Sequence, residues 1–209
     1  MANTNVRLSQ NELATVTNTD FLLTKHTIIS KVYTLFGLLT DEYIKQTKAA
    51  EKFLPAEVLS ASPKIYKGEQ YEKLPYVMMD YPRFFNKEEV FAIRGFFWWG
   101  NFFSITLHIS GKYQQMFAGN IFNWMEKHKT DEWFLCINID EWKHNFNADN
   151  YQPLSSFFPN KIGEDNLRNL AFLKLAKKLS FENWDDAIDF FRIHYGLLLE
   201  IFQDQFPNR

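Results

Sequence analysis

The stretch Phe96-Phe97-Trp98-Trp99-Gly100-Asn101-Phe102-Phe103 places six large aromatic rings within eight residues. Aromatic residues are enriched in β-strands, so the stretch predicts a β-ribbon interrupted at Gly100. Successive side chains of a strand point to opposite faces, and these rings therefore cannot all face one hydrophobic core. The second face is covered by helices, covered by a partner subunit or open as an apolar pocket, in that order of preference.

Segments rich in β-branched and aromatic residues lie around this ribbon, and Pro82, Gly95, Gly100 and Gly111 separate them. Such segments bounded by glycine and proline are typical of β-strands. The sequence therefore predicts an antiparallel sheet of about four strands in the middle of the chain: Leu74–Asp80, Glu89–Phe96, Asn101–Ser110 and Trp133–Asp140.

Apolar residues at helical spacing flank these strands. They predict a long N-terminal helix after the capping cluster Asn18-Thr19-Asp20, and a further helix after Gly111, between the third and fourth strands. Near the end of the chain, Glu164–Leu179 and Trp184–Phe206 predict a helical hairpin. Residues 141–163 are interpreted as a long loop. We expect one α+β domain over residues 1–209, with residues 1–18 forming a frayed arm or a short first helix.

Composition narrows the possible functions. The chain has 209 residues, a net charge of −2 and 18% aromatic residues. This charge gives no electrostatic case for binding nucleic acid or a membrane surface. Cys136 is the only cysteine, which excludes an intramolecular disulfide and a multi-cysteine metal site. A single cysteine fits a reducing compartment, and the N-terminus has no secretory signal pattern. Together these features predict a cytoplasmic protein.

The period of two along the predicted strands collects polar side chains on one face of the sheet. These side chains are Arg94, Ser104, Thr106, His108, Asn138 and Asp140. If their strands adjoin, His108 and Asp140 form an oriented base pair, with Arg94 as a clamp for an anionic group. The alternative is that this is the ordinary solvent-exposed face of a sheet packed on one side.

A second candidate site lies in the segment from Tyr76 to Phe85, where Asp80 and Arg83 stand beside several rings at a predicted strand end. The alternative is a turn in which Asp80 accepts hydrogen bonds from local backbone donors ahead of Pro82. Ribbon residues Trp98, Trp99 and Phe102 complete the set of candidate binding residues.

Several familiar signatures are missing from the sequence. There is no Gly-x-Ser-x-Gly nucleophile motif and no glycine-rich phosphate loop. The five histidines are scattered without a close ligand pair, so we predict no metal site and no cofactor. Cys136 lies in an apolar strand and is interpreted as a structural thiol.

These patterns leave the biochemical function open. The leading hypothesis is a non-enzymatic domain that binds a partner protein or an apolar small molecule through its aromatic-rich sheet. A homodimer fits the same surface. The alternative hypothesis is a hydrolase-like enzyme that uses His108 and Asp140, with Arg94 as the anion clamp.

Overall fold

The computed structural model describes residues 6–158 and 164–203 of the chain. The helices are α1 (Gln10–Thr17), α2 (Thr19–Ala49), α3 (Ala56–Leu59), α4 (Lys112–Lys127), α5 (Glu164–Arg168) and α6 (Ala187–Gln203). Short 3-10 helices occur at Glu51–Phe53, Leu154–Ser156 and Phe181–Asp186. The strands are β1 (Lys64–Tyr71), β2 (Leu74–Phe85), β3 (Val90–Trp98), β4 (Phe102–Ser110), β5 (Phe134–Cys136), β6 (Tyr151–Pro153) and β7 (Phe172–Ser180).

Within the described residues, these seven strands form one antiparallel sheet in the order β1-β2-β3-β4-β7-β5-β6. The predicted combination of helices with an antiparallel sheet is confirmed, and long helices lie toward both ends of the chain. The predicted number of about four strands is wrong, because β1, β6 and β7 were not recognised.

The predicted C-terminal helical hairpin is also wrong. Its second helix is α6, but only the start of its first helix is helical, as α5, and its second half lies in the nine-residue strand β7, which pairs with β4 along its whole length. Leucine, alanine and lysine in this segment favour a helix locally, whereas Leu173 and Leu175 alternate with Lys174 as a strand requires. Pairing with the neighbouring strands overrides the local preference. The predicted end at Phe206 lies outside the described residues.

The main hydrophobic core lies between one face of the sheet and the long helices. The β4 side chains predicted to share a face, Phe103, Ile105, Leu107 and Ile109, are all buried there. Helices α2 and α6 bring Phe36 and Phe191 onto the same face. Asn18 caps α2 by accepting a hydrogen bond from the Phe21 amide, as its position in the sequence predicts.

The N-terminal part of the chain lies apart from this core. Helix α1 closes with a capping box between Ser9 and Glu12, but it buries none of its residues. The short first helix is thus present within residues 6–18. Over residues 6–158 and 164–203, none of the helices combines the length and apolar character that crossing a membrane requires.

Gly111 connects β4 to α4 with a backbone conformation that other residues rarely adopt, with φ of 60° and ψ of −134°. A Cβ atom at this position would stand 2.8 Å from the Glu88 carbonyl oxygen. We expect Gly111→Ala to lower the free energy of unfolding by about 2 kcal/mol, measured by urea denaturation.

The matched control is Gly37→Ala, in the middle of α2, where an added Cβ meets no atom within 4 Å. This change is expected to stabilise the protein by about 0.5–1 kcal/mol, because alanine is the better helix former. Equal effects of the two substitutions would contradict the proposed strain at Gly111.

Candidate functional site

The face of the sheet opposite the main core carries four of the predicted polar side chains, including Arg94, but it is not exposed. Ser104, Thr106 and His108 of β4 are all buried. The interpretation of this face as an ordinary solvent-exposed surface is therefore wrong. A buried polar face needs partners for its donors and acceptors, and these partners define the candidate site.

Residues 137–150, which link β5 to β6 without a helix or strand of their own, cover this face; we call them the covering segment. They are tied to the β1–β2 hairpin by two hydrogen bonds. The His144 amide donates to the Tyr71 hydroxyl at 2.6 Å, and Asn145 Nδ2 donates to Glu72 Oε1 at 2.6 Å. Residues 141–150 of the loop that the sequence predicts over residues 141–163 thus supply a wall of the site. Strand β6 and a 3-10 helix follow within the predicted loop, and residues 159–163 lie outside the described residues.

Strand register arranges the polar residues of the sheet in two adjacent rows. Residues directly opposite one another on successive strands make up each row: Asp80, Arg94, Thr106 and Ala176 in the first, and Ala92, His108 and Lys174 in the second. The predicted proximity of Arg94 and His108 follows from this register. Asn138 and Asp140 lie beyond the end of β5 and belong to neither row.

Arg94 and Asp80 form a buried bidentate ion pair. Arg94 Nε lies 2.7 Å from Asp80 Oδ1, and Nη2 lies 3.0 Å from Oδ2. The Tyr66 hydroxyl donates a further hydrogen bond to Asp80 Oδ2 at 3.1 Å. The guanidinium group predicted to clamp an anionic ligand is therefore held by a carboxylate of its own chain. Asp80 lies within β2, not in the turn that the sequence suggested as its alternative position.

His144 of the covering segment completes the environment of Arg94. Its Nε2 atom lies 3.2 Å from Arg94 Nη1. Because arginine can only donate, His144 Nε2 accepts this hydrogen bond and the ring is neutral, with its proton on Nδ1. Burial, together with the positive charges of Lys174 and Arg94, holds the pKa of His144 well below its ordinary value.

His108 pairs with Glu141 and not with Asp140. His108 Nε2 lies 2.8 Å from Glu141 Oε2, and burial lowers the pKa of His108 to about 4. The hydrogen bond from His108 in turn lowers the pKa of Glu141. Asp140 is exposed and accepts a hydrogen bond from the Trp142 amide, while Asn138 Nδ2 donates to the Asp149 carbonyl. The catalytic roles given to His108 and Asp140 stay predictions.

Lys174 is fully buried on the same face, beside His108. Its Nζ atom donates to two backbone carbonyls of the covering segment, those of Glu141 at 2.8 Å and Lys143 at 2.5 Å. Burial lowers the pKa of Lys174 to about 8. This residue was not recognised from the sequence, because its segment was predicted to be helical.

The rings of the aromatic ribbon divide between the two faces. Trp98 lies on the polar face, where its ring packs 5.1 Å from Tyr71, and Phe102 contacts it there. The preferred explanation, that helices cover the second face, is wrong, since Tyr71 and the covering segment lie there.

Arg83, the other predicted binding residue of β2, follows an irregularity in that strand. It donates through Nε to the Ser62 carbonyl at 2.9 Å.

Trp99 lies on the opposite face and lines an open pocket of about 350 Å³, which we call the aromatic pocket. Its lining residues are Ile28, Phe97, Trp99, Gly100, Phe181 and Trp184. None of these side chains is titratable. Phe97 lies at the floor of a ring cluster, with centroids 5.2 Å from Phe181 and 6.1 Å from Trp184.

Among residues 6–158 and 164–203, no group of three or more His, Cys, Asp or Glu side chains is arranged to hold a metal ion. Comparison of the chain with protein-family models, curated proteins and solved structures finds no match in any of the three.

Sequence reasoning missed Glu141, His144 and Lys174. Glu141 adjoins Asp140, and adjacent acidic residues in a loop are ordinarily surface charges. Lys174 did carry a signal, because a lysine between Leu173 and Leu175 is on the opposite face from both if the segment is a strand. For His144 no signal existed, since its position depends on how the covering segment folds over the sheet.

Proposed function

We propose that this chain is a non-enzymatic binding domain that takes an apolar small molecule into the aromatic pocket. The observation that carries the proposal is the pocket itself, an open concavity of about 350 Å³ lined by apolar side chains at the turn of the aromatic ribbon. Small-molecule sites have volumes of roughly 300–1,000 Å³ and mostly apolar walls. A volume at the lower end of this range suits one or two fused rings or a short aliphatic chain.

The chemistry of the lining favours binding over catalysis. Trp99 and Trp184 supply broad apolar surfaces, and Ile28 of α2 closes one side. Without a titratable side chain, the pocket offers no general acid, base or nucleophile. The alternative of a hydrolase-like enzyme gains less support, because Arg94 is occupied by Asp80 and His108 is bonded to Glu141.

Titration with the neutral fluorescent dye Nile red tests the proposal. We expect saturable binding to the unchanged protein, and a loss of affinity of about tenfold or more in Ile28→Lys, because this substitution places an ammonium group beside the pocket. The matched control is Ile44→Lys, at an exposed isoleucine of the same helix that does not line the pocket. Thermal unfolding checks that both variants are folded.

Two results would contradict the proposal. Equal affinity of both variants for Nile red would show that the dye binds elsewhere. Binding that does not saturate would indicate a nonspecific apolar surface, such as one used by a partner protein. The pocket geometry predicts that Ile44→Lys binds the dye like the unchanged protein, whereas Ile28→Lys does not.

We also propose that residues 1–209 form one domain in a reducing compartment such as the cytoplasm. Helices from both parts of the described chain share one hydrophobic core with the sheet, which supports a single domain. The only cysteine, Cys136, is buried and free, which supports a compartment without disulfide formation.

A further inference from the structure

His108 and Lys174 present two hydrogen-bond donors side by side on the polar face of the sheet. They are directly opposite residues of β4 and β7, so their side chains are neighbours. Both donors are directed at residues 141–143 of the covering segment. Glu141 supplies a carboxylate oxygen to His108 Nε2 at 2.8 Å, and the Glu141 and Lys143 carbonyls accept from Lys174 Nζ at 2.8 and 2.5 Å.

The charges on this face include one buried cation, Lys174, whose negative neighbours Asp140 and Glu141 act on it without accepting its hydrogen bonds. The charge of Arg94 is matched by Asp80, at 2.7 Å. With its pKa lowered to about 4, His108 is neutral near pH 7, whereas Lys174, with a pKa of about 8, is mostly protonated. The hydrogen-bond partners of Lys174 in the described chain are neutral carbonyls. A buried ammonium group is costly unless negative charge lies near it.

The covering segment is held to the sheet at residues 141–143 by hydrogen bonds and by the contact of Trp142 with His108, and not by strand pairing. It has no regular secondary structure, and it exposes 98% of Ile139 and 49% of Trp142 to solvent. Its anchors at His144 and Asn145 lie on the far side of residues 141–143 from β5. Lifting residues 141–143 therefore breaks no pairing between strands.

We propose that His108 and Lys174 form a binding site for a small monocarboxylate, which replaces the Glu141 carboxylate and displaces residues 141–143 from the sheet. Once Glu141 is displaced, the single positive charge of Lys174 favours a ligand with a single negative charge, and the two donors suit the two oxygens of a carboxylate. Glu141 thus acts as an internal competitor for the ligand. This site is separate from the aromatic pocket, which lies on the opposite face of the sheet.

Acetate binding to the full chain near neutral pH tests this inference, with isothermal titration calorimetry as the measurement. Glu141→Gln removes the competing charge, so acetate affinity is expected to rise by about tenfold or more over the unchanged protein. Asp140→Asn is the matched control, because this neighbouring carboxylate caps the Trp142 amide and does not touch His108. Because the charge of Asp140 also acts on Lys174, we expect Asp140→Asn to raise acetate affinity by less than Glu141→Gln does.

Two second-site variants in the Glu141→Gln background locate the binding. Lys174→Met removes the cation at similar side-chain volume, and His108→Phe removes the donor from a ring that packs against Trp142 and Phe172. Each is expected to abolish saturable acetate binding. If Lys174→Met does not fold, His108→Phe decides the question by itself.

Three results would overturn the inference. The first is a Glu141→Gln protein that shows no saturable acetate binding. The second is acetate binding that survives in a folded second-site variant. The third is inorganic phosphate binding as tightly as acetate, because the single positive charge of Lys174 would then not select a monocarboxylate.

Discussion

Replacing Arg94 with methionine is expected to lower the free energy of unfolding by about 3–5 kcal/mol, the usual cost of removing one partner from a buried ion pair. Asp80 would remain buried, 3% exposed, with the Tyr66 hydroxyl as its remaining side-chain hydrogen-bond donor. His144 would also lose the donor at its Nε2 atom. Urea denaturation near neutral pH measures the effect.

The matched control uses the same substitution at an exposed ion pair. Arg192 lies 2.8 Å from Asp189 on the surface of α6, and Arg192→Met is expected to cost about 0.5 kcal/mol or less. The double variant Arg94→Met with Asp80→Leu tests the cause, because removing both charges should recover most of the stability. An Arg94→Met cost equal to that of Arg192→Met would contradict the assigned role.

Acid is expected to destabilise the protein well before its carboxylates protonate in bulk. His108 and His144 are neutral in the folded state, since burial holds both pKa values below the ordinary 6.5. As pH falls below 6.5, the unfolded chain takes up protons that the folded chain excludes, so stability is lost. The shift of His108 to about 4 corresponds to about 3 kcal/mol, and His144 adds to it in the same direction.

Urea denaturation at a series of pH values between about 7 and 4 measures this loss. His144→Gln keeps an acceptor for Arg94 but does not titrate, so the stability of this variant should depend less steeply on pH. His26→Gln, on the exposed side of α2, should retain the full dependence. If His144→Gln and His26→Gln show identical pH profiles, His144 is not a source of the acid sensitivity.

Some of this fold follows directly from local patterns. Strands β2, β3 and β4 follow from their aromatic and β-branched residues, and they pair with one another in chain order. Strand β7 escaped prediction because its leucines and lysines suit a helix equally well. Its strand conformation depends on hydrogen bonding to the edges of β4 and β5, which are far away in sequence.

The candidate site also depends on a structural feature that local sequence patterns do not specify. Asp80 and Arg94 were both singled out from the sequence, but their pairing depends on an irregularity in β2. Beyond it Arg83 pairs with Ala92, whereas before it Asp80 pairs with Arg94. If the register of Arg83 and Ala92 continued to Asp80, Asp80 would lie opposite Gly95. The side chains of Asp80 and Arg94 would then lie on opposite faces of the sheet. No local signal gives the size of this one-residue step.

The position of β7 between β4 and β5 also affects how the chain folds while it is being synthesised. Strands β1 to β4 form a meander that can assemble as it leaves the ribosome, but the hydrogen-bonding edge of β4 stays open until residues 172–180 emerge. The β5–β6 hairpin, three residues long on each side, has no sheet to join before then. An open, apolar strand edge invites pairing with other nascent chains. Truncation before residue 172 is therefore expected to produce aggregates, not a smaller folded sheet.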